Sequence, residues 1–419
     1  MGTLTVTEKA VLFVLALMLP AYGLATMPLD GVIEATAMRN LGLPILIAEM
    51  MLCLLAVARG VTLSTIWRQT SSIARWGAGL WLVAAVCSTF VLEPVDGSGS
   101  GLFMMSVGHL LFAALCAAAI RTRWNSIRSY LLPSLAAGIA GYTILAVIFS
   151  FYAARIPGFD WISFGFGAGN VRHLGYYAVV LTGLSLGMLS GMRGKWDVPA
   201  IGLLFLGTFL LFWSGGRGPI LCLLGQITVA AACSDSSLRL RIVSTAALVS
   251  LASVVMAHWL APDPTWGPGG LLTETIETKD LNDFSSSRLA IWVETLKAVA
   301  DQPLMGYGPG QFKSIITSSG GVLAQPHNIA LQLLFHWGLV GSLCLVLVMI
   351  GALHNTSIHA LRDSPPELSA ALVLVGLGAL SLVDGALFYP FPVIAAILSI
   401  SILSSWAPDN NQARKNFFD

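Results

Sequence analysis

Charge is what this sequence has least of. Of its 419 residues only 10% are Asp, Glu, Lys or Arg, against about a quarter in soluble domains, while 56% are apolar. That shortage excludes a soluble globular domain and places the chain in a bilayer. The charges nearly cancel, to a net +1, so neither a nucleic-acid partner nor a polybasic surface anchor is indicated. Cysteine is scarce as well: the six, Cys53, Cys87, Cys116, Cys222, Cys233 and Cys344, lie in or beside apolar runs. None are paired at metal-ligand spacing, so they read as small core residues rather than disulfides or ligands. No Walker sequence, zinc motif, nucleophile elbow, heptad pattern or internal repeat occurs, which removes the usual sequence support for nucleotide, zinc and serine-nucleophile chemistry.

What is there is a succession of apolar runs near the roughly 20 residues that cross a bilayer. They run from Ala10 to Met27, Leu41 to Ala58, Trp76 to Leu92, Leu102 to Ile120, Tyr130 to Tyr152 and Leu174 to Met192. The second half reads Val198 to Trp213, Pro219 to Cys233, Ile242 to Leu260, Ala330 to Leu353, Leu368 to Leu387 and Phe391 to Trp406, with the seventh and eighth runs short. The expected fold is all-α: a polytopic membrane protein of about twelve transmembrane helices. The first run follows Glu8-Lys9 and lacks a small-residue cleavage site, so it is expected to be retained.

Loop charges orient the chain. One set of segments carries Lys9, Arg59, Arg68, Arg75, Arg121, Arg123, Arg128, Arg193, Lys195, Arg239, Arg241, Arg362, Arg414 and Lys415. The other carries Arg39, Arg155, Arg172, Arg217, Lys279, Arg288, Lys297 and Lys313, although it contains the longest loop. By the positive-inside rule the termini are cytoplasmic. Residues 1–261 then hold spans one to nine, 262–327 form one long outer loop, and 328–419 hold spans ten to twelve. The loop opens Pro/Gly-rich, from Pro262 to Gly270. Ser285, Ser286 and Ser287 offer N-caps for a helix beginning near Arg288, with Leu289, Trp292, Leu296 and Val299 on one face and Pro303 at its end. That pattern predicts an amphipathic helix at the membrane surface or across the span mouths.

The candidate residues gather on the outer side. Arg217 sits in a glycine-rich turn, Trp213-Ser-Gly-Gly-Arg-Gly-Pro219, where Gly216 lets a backbone amide approach an anion and the guanidinium can bind phosphate in two places. A tight turn with a snorkelling arginine is the bland alternative. Arg288 stands at a helix N-terminus, an unfavourable place for a cation unless an anion is close; Asp280, Asp283 or a ligand phosphate would supply it. His327, followed by Asn328, lies where the long loop re-enters the membrane and suits proton transfer near neutral pH. Arg172 and His173, at the edge of the sixth span, are further candidates, with interfacial snorkelling as the alternative. Glu49, His109, His258, His336 and Asp384 are ionisable groups in or near spans and are candidates on that ground; His109 and His336 are equally interhelical hydrogen-bond partners, and Glu49 a counter-ion for an arginine. The turn Gly306-Tyr-Gly-Pro-Gly310, with Gly308 at its centre, offers backbone amides but no nucleotide fingerprint.

These segments together resemble the O-antigen ligase and polymerase family of bacterial membrane glycosyltransferases, which use glycans carried on undecaprenyl pyrophosphate. The resemblance is most specific between Ser285 and Gly341: the run Ser287 to Trp292, then Pro303 to Gly308, then His327-Asn328 and, after nine intervening residues, Gly338-Leu-Val-Gly341. The turn around Arg217 and the stretch Asp384 to Pro390 fit more loosely. The resemblance implies a periplasmic active site in the inner membrane beneath the long loop, with Arg217 and Arg288 as pyrophosphate-binding arginines, His327 as the essential histidine and Arg172 as a further contact. It implies an undecaprenyl-pyrophosphate-linked glycan as donor, a lipid A core sugar or a glycan as acceptor, and membrane lipid around the chain. No cofactor is expected, and because no carboxylate cluster fit to hold a divalent cation is evident, a metal-independent, inverting transfer is expected. The His-Asn and Gly-x-x-Gly pattern favours a ligase over a polymerase joining repeat units or a protein-glycosylating branch. A transporter or lipid flippase is the competitor of another class; it would be expected to show repeats and broken helices near the midplane.

Overall fold

With no water inside a bilayer to satisfy N–H and C=O groups, an apolar chain that crosses must be helical or form a closed barrel. The computed structural model describes residues 4–27, 42–92, 99–191, 197–278, 280, 285–318, 320, 323–354, 356, 361–362 and 364–405, and among these no strand occurs. The first half comprises α1 (Val6–Ala25), α2 (Leu43–Ala58), α3 (Leu63–Gln69), α4 (Ser72–Val86), α5 (Gly99–Thr122), α6 (Arg128–Ala153) and α7 (Leu174–Gly191). The second comprises α8 (Asp197–Trp213), α9 (Arg217–Ala232), α10 (Ser236–Trp259), α11 (Gly267–Ile276), α12 (Arg288–Asp301), α13 (Phe312–Ile315), α14 (Ile329–Leu353), α15 (Pro365–Ser381) and α16 (Pro390–Ser404).

Each expected apolar run falls on one of these helices. Seven are long and apolar enough to cross a membrane, or eight if α2 and α3, bent by 97° to one another, act as one broken span. Four more, α8, α9, α15 and α16, are apolar but 15–17 residues long. Arg39, Arg193, Lys195, Lys279, Arg414 and Lys415, which entered the charge reading, lie outside the described residues.

The middle of the bundle is α7, buried on every side from Leu174 to Leu189. It packs against α8, α9 and α15. A helix surrounded in this way needs small residues where its neighbours approach closely. A Cβ at Gly187 would land on Ser369 of α15. Gln226 fastens the same place: its amide donates to Val179 O (2.9 Å) and Leu372 O (3.0 Å), and its Oε1 accepts from Thr182 Oγ1 (2.7 Å). One side chain thereby ties α7, α9 and α15 in a dry interior where an unmet amide would be costly.

The other half of the scaffold is α14 packed along α4, and α14 is broken. At Gly338 the backbone takes φ 59°, ψ −168°, a conformation essentially reserved for glycine. The break frees carbonyls and amides, and the loop after α12 takes them up. Tyr307 N donates to Phe335 O (2.8 Å) and Gly308 N to His336 O (2.9 Å), while Leu339 N donates to Pro303 O (2.8 Å) and Val340 N to Leu304 O (3.1 Å). Ser88, in the π-turn Cys87–Val91 that extends α4, also donates to His336 O (2.8 Å). The Gly306-to-Gly310 turn and the Gly338-to-Gly341 pattern are thus two halves of one splice. The amides of Tyr307 and Gly308, read from the sequence as available to an anion, are engaged by α14.

A Cβ at Gly338 would fall onto Leu304 O. Gly338→Ala is expected to lower stability by about 1–3 kcal/mol or more, read as thermal unfolding in detergent, whereas Gly225→Ala, with open space around its Cβ, should be near neutral.

Candidate functional site

At one end of the bundle the N-termini of α9, α12 and α14 meet the C-terminal turn of α15. Asp384 lies in that turn, past the end of its helix, and its carboxylate is the meeting point. Oδ1 accepts from Tyr176 Oη (2.9 Å) and Gly385 N (2.7 Å) and lies 3.0 Å from His327 Nδ1. Oδ2 accepts from Arg288 Nη2 (3.1 Å), and Arg288 Nη1 donates to Val383 O. A carboxylate buried there is costly unless donors surround it, and Tyr176, Gly385 and Arg288 donate to its two oxygens, with His327 Nδ1 beside them. The counter-ion of Arg288 is therefore Asp384. The sequence left Asp280, Asp283 or a ligand phosphate as the anion near Arg288; the carboxylate 3.1 Å from its Nη2 comes from the turn after α15, and Asp283 lies outside the described residues.

Because Nδ1 of His327 faces a carboxylate, it carries the ring proton in the neutral tautomer and Nε2 is left as the acceptor nitrogen. His327 has φ 54°, rare for a residue with a side chain. The strain is held by its neighbours: Trp292 Nε1 donates to Pro326 O (2.8 Å), and Asn328 donates to Leu382 O (2.9 Å) while its Oδ1 caps α14 through Leu331 N (3.1 Å). Asn328 is thus brought into the cluster as the residue that seats the helix under His327.

Arg217 opens α9, with Gly216 as its N-cap and Gly215 at φ 66° completing the turn. Its Nη2 reaches Ser286 Oγ (3.3 Å), two residues before Arg288, and lies 3.7 Å from Glu274 Oε1 on α11. Arg172 Nη2 donates to that same Glu274 oxygen at 2.6 Å. The two arginines therefore converge on one anionic atom. His173 lies behind, its ring stacked on Tyr176 and its Nε2 3.2 Å from Tyr389 Oη. A shallow cleft lined in part by Tyr22, His173, Tyr176, Tyr177 and Tyr389 lies beside this ring stack.

The helix beginning at Arg288 ends at Asp301, and its expected apolar face divides: Leu289 and Leu296 are exposed, whereas Val299 is partly buried against the core. Ile291, Thr295 and Ala298 are buried, the two apolar ones against Phe312, Ile316 and Phe335, whereas Leu289, Val293 and Leu296 form an exposed stripe. Spacing reveals that a stripe is apolar, not which of two apolar stripes faces protein. Ser287 is the N-cap but its side chain makes no cap bond; Ser285 Oγ accepts from Leu289 N at 3.3 Å. Glu294 fastens α12 to the following loop, accepting from Thr317 N and Ser318 N, each at 2.8 Å. Its partial burial would raise its pKa, but the donors at Ser318 and Thr317 outweigh that and hold it at about 2.

Several candidates stand elsewhere. Gly308 belongs to the splice in α14. Glu49 pairs with His109 at 2.9 Å rather than with an arginine, His336 is buried beside the break, and His258 is near the end of α10. Glu274 and Tyr176 were not singled out from the sequence, Ser286 only as a possible N-cap and Tyr389 only within the stretch from Asp384 to Pro390. Glu274 stands in a stretch with Glu277, Lys279, Asp280 and Asp283, and nothing local points to Arg172, 102 residues away.

Three arginines, two carboxylates and a strained histidine thus meet where the N-termini of α9, α12 and α14 converge. Residues 202–346, which contain Arg217, Glu274, Arg288 and His327, match the family model described as O-antigen ligase. An O-antigen ligase of Pseudomonas aeruginosa is 30% identical over 195 residues, 46% of this chain and 43% of that protein. Both matches make this part of the chain similar to O-antigen ligases, and the alignment spans less than half of that relative's length.

Two outcomes follow from the geometry. Asp384→Asn removes the charge that faces both Arg288 and His327, and it should cut activity by roughly 10²-fold or more in a turnover assay and lower the melting temperature. The folded pKa of Glu294 is depressed from 4.5, so its stabilisation is complete above that value and is lost as pH falls toward 2. Acid melts should therefore show wild type losing stability over that window, and Glu294→Gln, less stable at neutral pH, should lose less.

Proposed function

We propose that the chain is a ligase-type membrane glycosyltransferase that moves a glycan from undecaprenyl pyrophosphate to a hydroxyl of a lipid A core sugar. In this reading it crosses the bacterial inner membrane about twelve times, with cytoplasmic termini and a periplasmic site. The observation that carries the reading is the junction at Asp384: one carboxylate orients His327 and holds Arg288, beside Arg217 and Arg172 aimed at a common oxygen. That arrangement pairs a base with a nest for a diphosphate, as group transfer from a lipid pyrophosphate requires.

The chemistry follows from where charge develops. As the bond from the anomeric carbon to the diphosphate oxygen breaks, its electron pair passes to that oxygen, and fixed guanidinium charge stabilises this state more than the ground state. His327 Nε2 accepts the proton of the acceptor hydroxyl, whose oxygen attacks the anomeric carbon from the opposite face, giving inversion. Asp384 stabilises the imidazolium that forms. Permanent arginine charge and helix N-termini fill the role that a divalent cation would otherwise serve at the leaving group. The exposed stripe Leu289, Val293 and Leu296, which starts beside Arg288, supports placing α12 at the membrane surface, where a polyprenyl chain is at hand.

The test is transfer in vitro with purified protein, undecaprenyl-pyrophosphate-linked glycan, lipid A core and a chelator. Wild type should glycosylate the core, and Arg288→Ala and His327→Ala should each lose roughly 10²-fold or more. Full transfer by folded Arg288→Ala and His327→Ala proteins contradicts the mechanism. Lengthened lipid-linked glycan in place of modified core makes the chain a polymerase, and product only without chelator makes the reaction metal-dependent.

A further inference from the structure

The site holds two carboxylates against its arginines, and they are not equivalent. Asp384 is 12% exposed at the side chain and is held by Tyr176, Gly385, His327 and Arg288 around both oxygens. Glu274 is 36% exposed, stands near the C-terminal end of the ten-residue helix α11, and presents one oxygen to Arg172 and Arg217. The opposite end of α11 is anchored: Trp266, buried, donates to Trp161 O at 3.0 Å and packs edge-on against Trp161, Phe164 and Trp213. Glu274 is therefore an anion on a flexible side chain, brought by a fixed helix to the spot where two guanidiniums converge.

We infer that Glu274 is an internal stand-in for a donor phosphate: its carboxylate keeps Arg172 and Arg217 aimed at one point and yields that point when a diphosphate arrives. The inference rests on the proposed anion-binding role of the pocket. Its physical basis is competition. Two arginines near a membrane surface with no anion between them repel one another, and a carboxylate between them removes that cost in the empty protein. A diphosphate carries more charge and more acceptor oxygens than a carboxylate, so it displaces Glu274 and inherits pre-aimed donors. Asp384, enclosed and shared with His327, stays in place. The exchange confines the lipid diphosphate to the Arg172–Arg217 side, next to Arg288 but without breaking the pair that orients the histidine. It also makes the empty pocket selective, because a weak monoanion must compete with Glu274 as well.

The full chain in detergent, titrated with a polyprenyl pyrophosphate, tests this. Glu274→Gln should bind roughly three- to tenfold more tightly than wild type and lower KM with little change in kcat. Glu277→Gln, which removes a carboxylate three residues along without touching this contact, should not. In Arg217→Ala, binding should weaken, and the gain from Glu274→Gln should shrink in the double variant, because the two side chains act on each other. If Glu274→Gln binds no more tightly than wild type, or if Glu277→Gln gains equally, the stand-in role is overturned. Equal binding by wild type and Arg217→Ala overturns instead the anion-binding reading beneath it. Glu274→Asp, shorter by one methylene, gives a second measure of the same contact and should fall between wild type and Glu274→Gln.

Discussion

The carboxylate of Asp384 is the interaction on which the site depends. It joins the turn after α15 to the first residue of α12, to the residue before the N-cap of α14 and to Tyr176 of α7. A buried carboxylate is tolerable only where donors surround it, and here each donor comes from a different part of the chain. The converse also holds: an arginine at a helix N-terminus and a histidine with a left-handed backbone are each unfavourable alone, and the same negative charge offsets one and helps to fix the other.

The bilayer imposes the second constraint. Backbone polar groups freed by a break in a span must find partners inside the protein. In α14 they find the loop from Pro303 to Gly308, and this couples the end of α12 to the middle of α14. With Arg288 at one end of α12 and the splice following its other end, the helix is held over the mouth of the bundle at both ends. Trp292 adds a third attachment through Pro326, so the segment entering α14 at His327 has little freedom to drift. The strain at His327 is sustained by this clamp.

Much of this was legible in the sequence, for reasons that differ by element. Apolar runs of bilayer length specify helices almost without regard to neighbours, so every expected run falls on a helix. Serines followed by an apolar-periodic stretch placed the start of α12 near Arg288, where it begins. Arg217, Arg288 and His327 stood out because cations and histidines are rare in such a chain. Their partners did not. Glu274 meets Arg172 from α11, about a hundred residues away, and Asp384 was visible only as one ionisable group among several. Side-chain pairing across a helical bundle depends on the rotation of each helix, and periodicity leaves that open when a helix has two apolar stripes, as α12 does. Glycines were read for their amides, and at Gly306, Gly308 and Gly338 they serve instead to let two backbones meet.

The most direct measurement is an electron cryo-microscopy structure of the full chain in lipid with an undecaprenyl-pyrophosphate-linked glycan bound. A site organised around Asp384 predicts diphosphate oxygens about 3 Å from the guanidinium groups of Arg217 and Arg288, with the Asp384–His327 contact kept and His327 Nε2 facing the anomeric carbon. A diphosphate bound elsewhere, for example at the opposite end of the bundle near Arg121 and Arg128, or a His327 turned away from the donor, would contradict it.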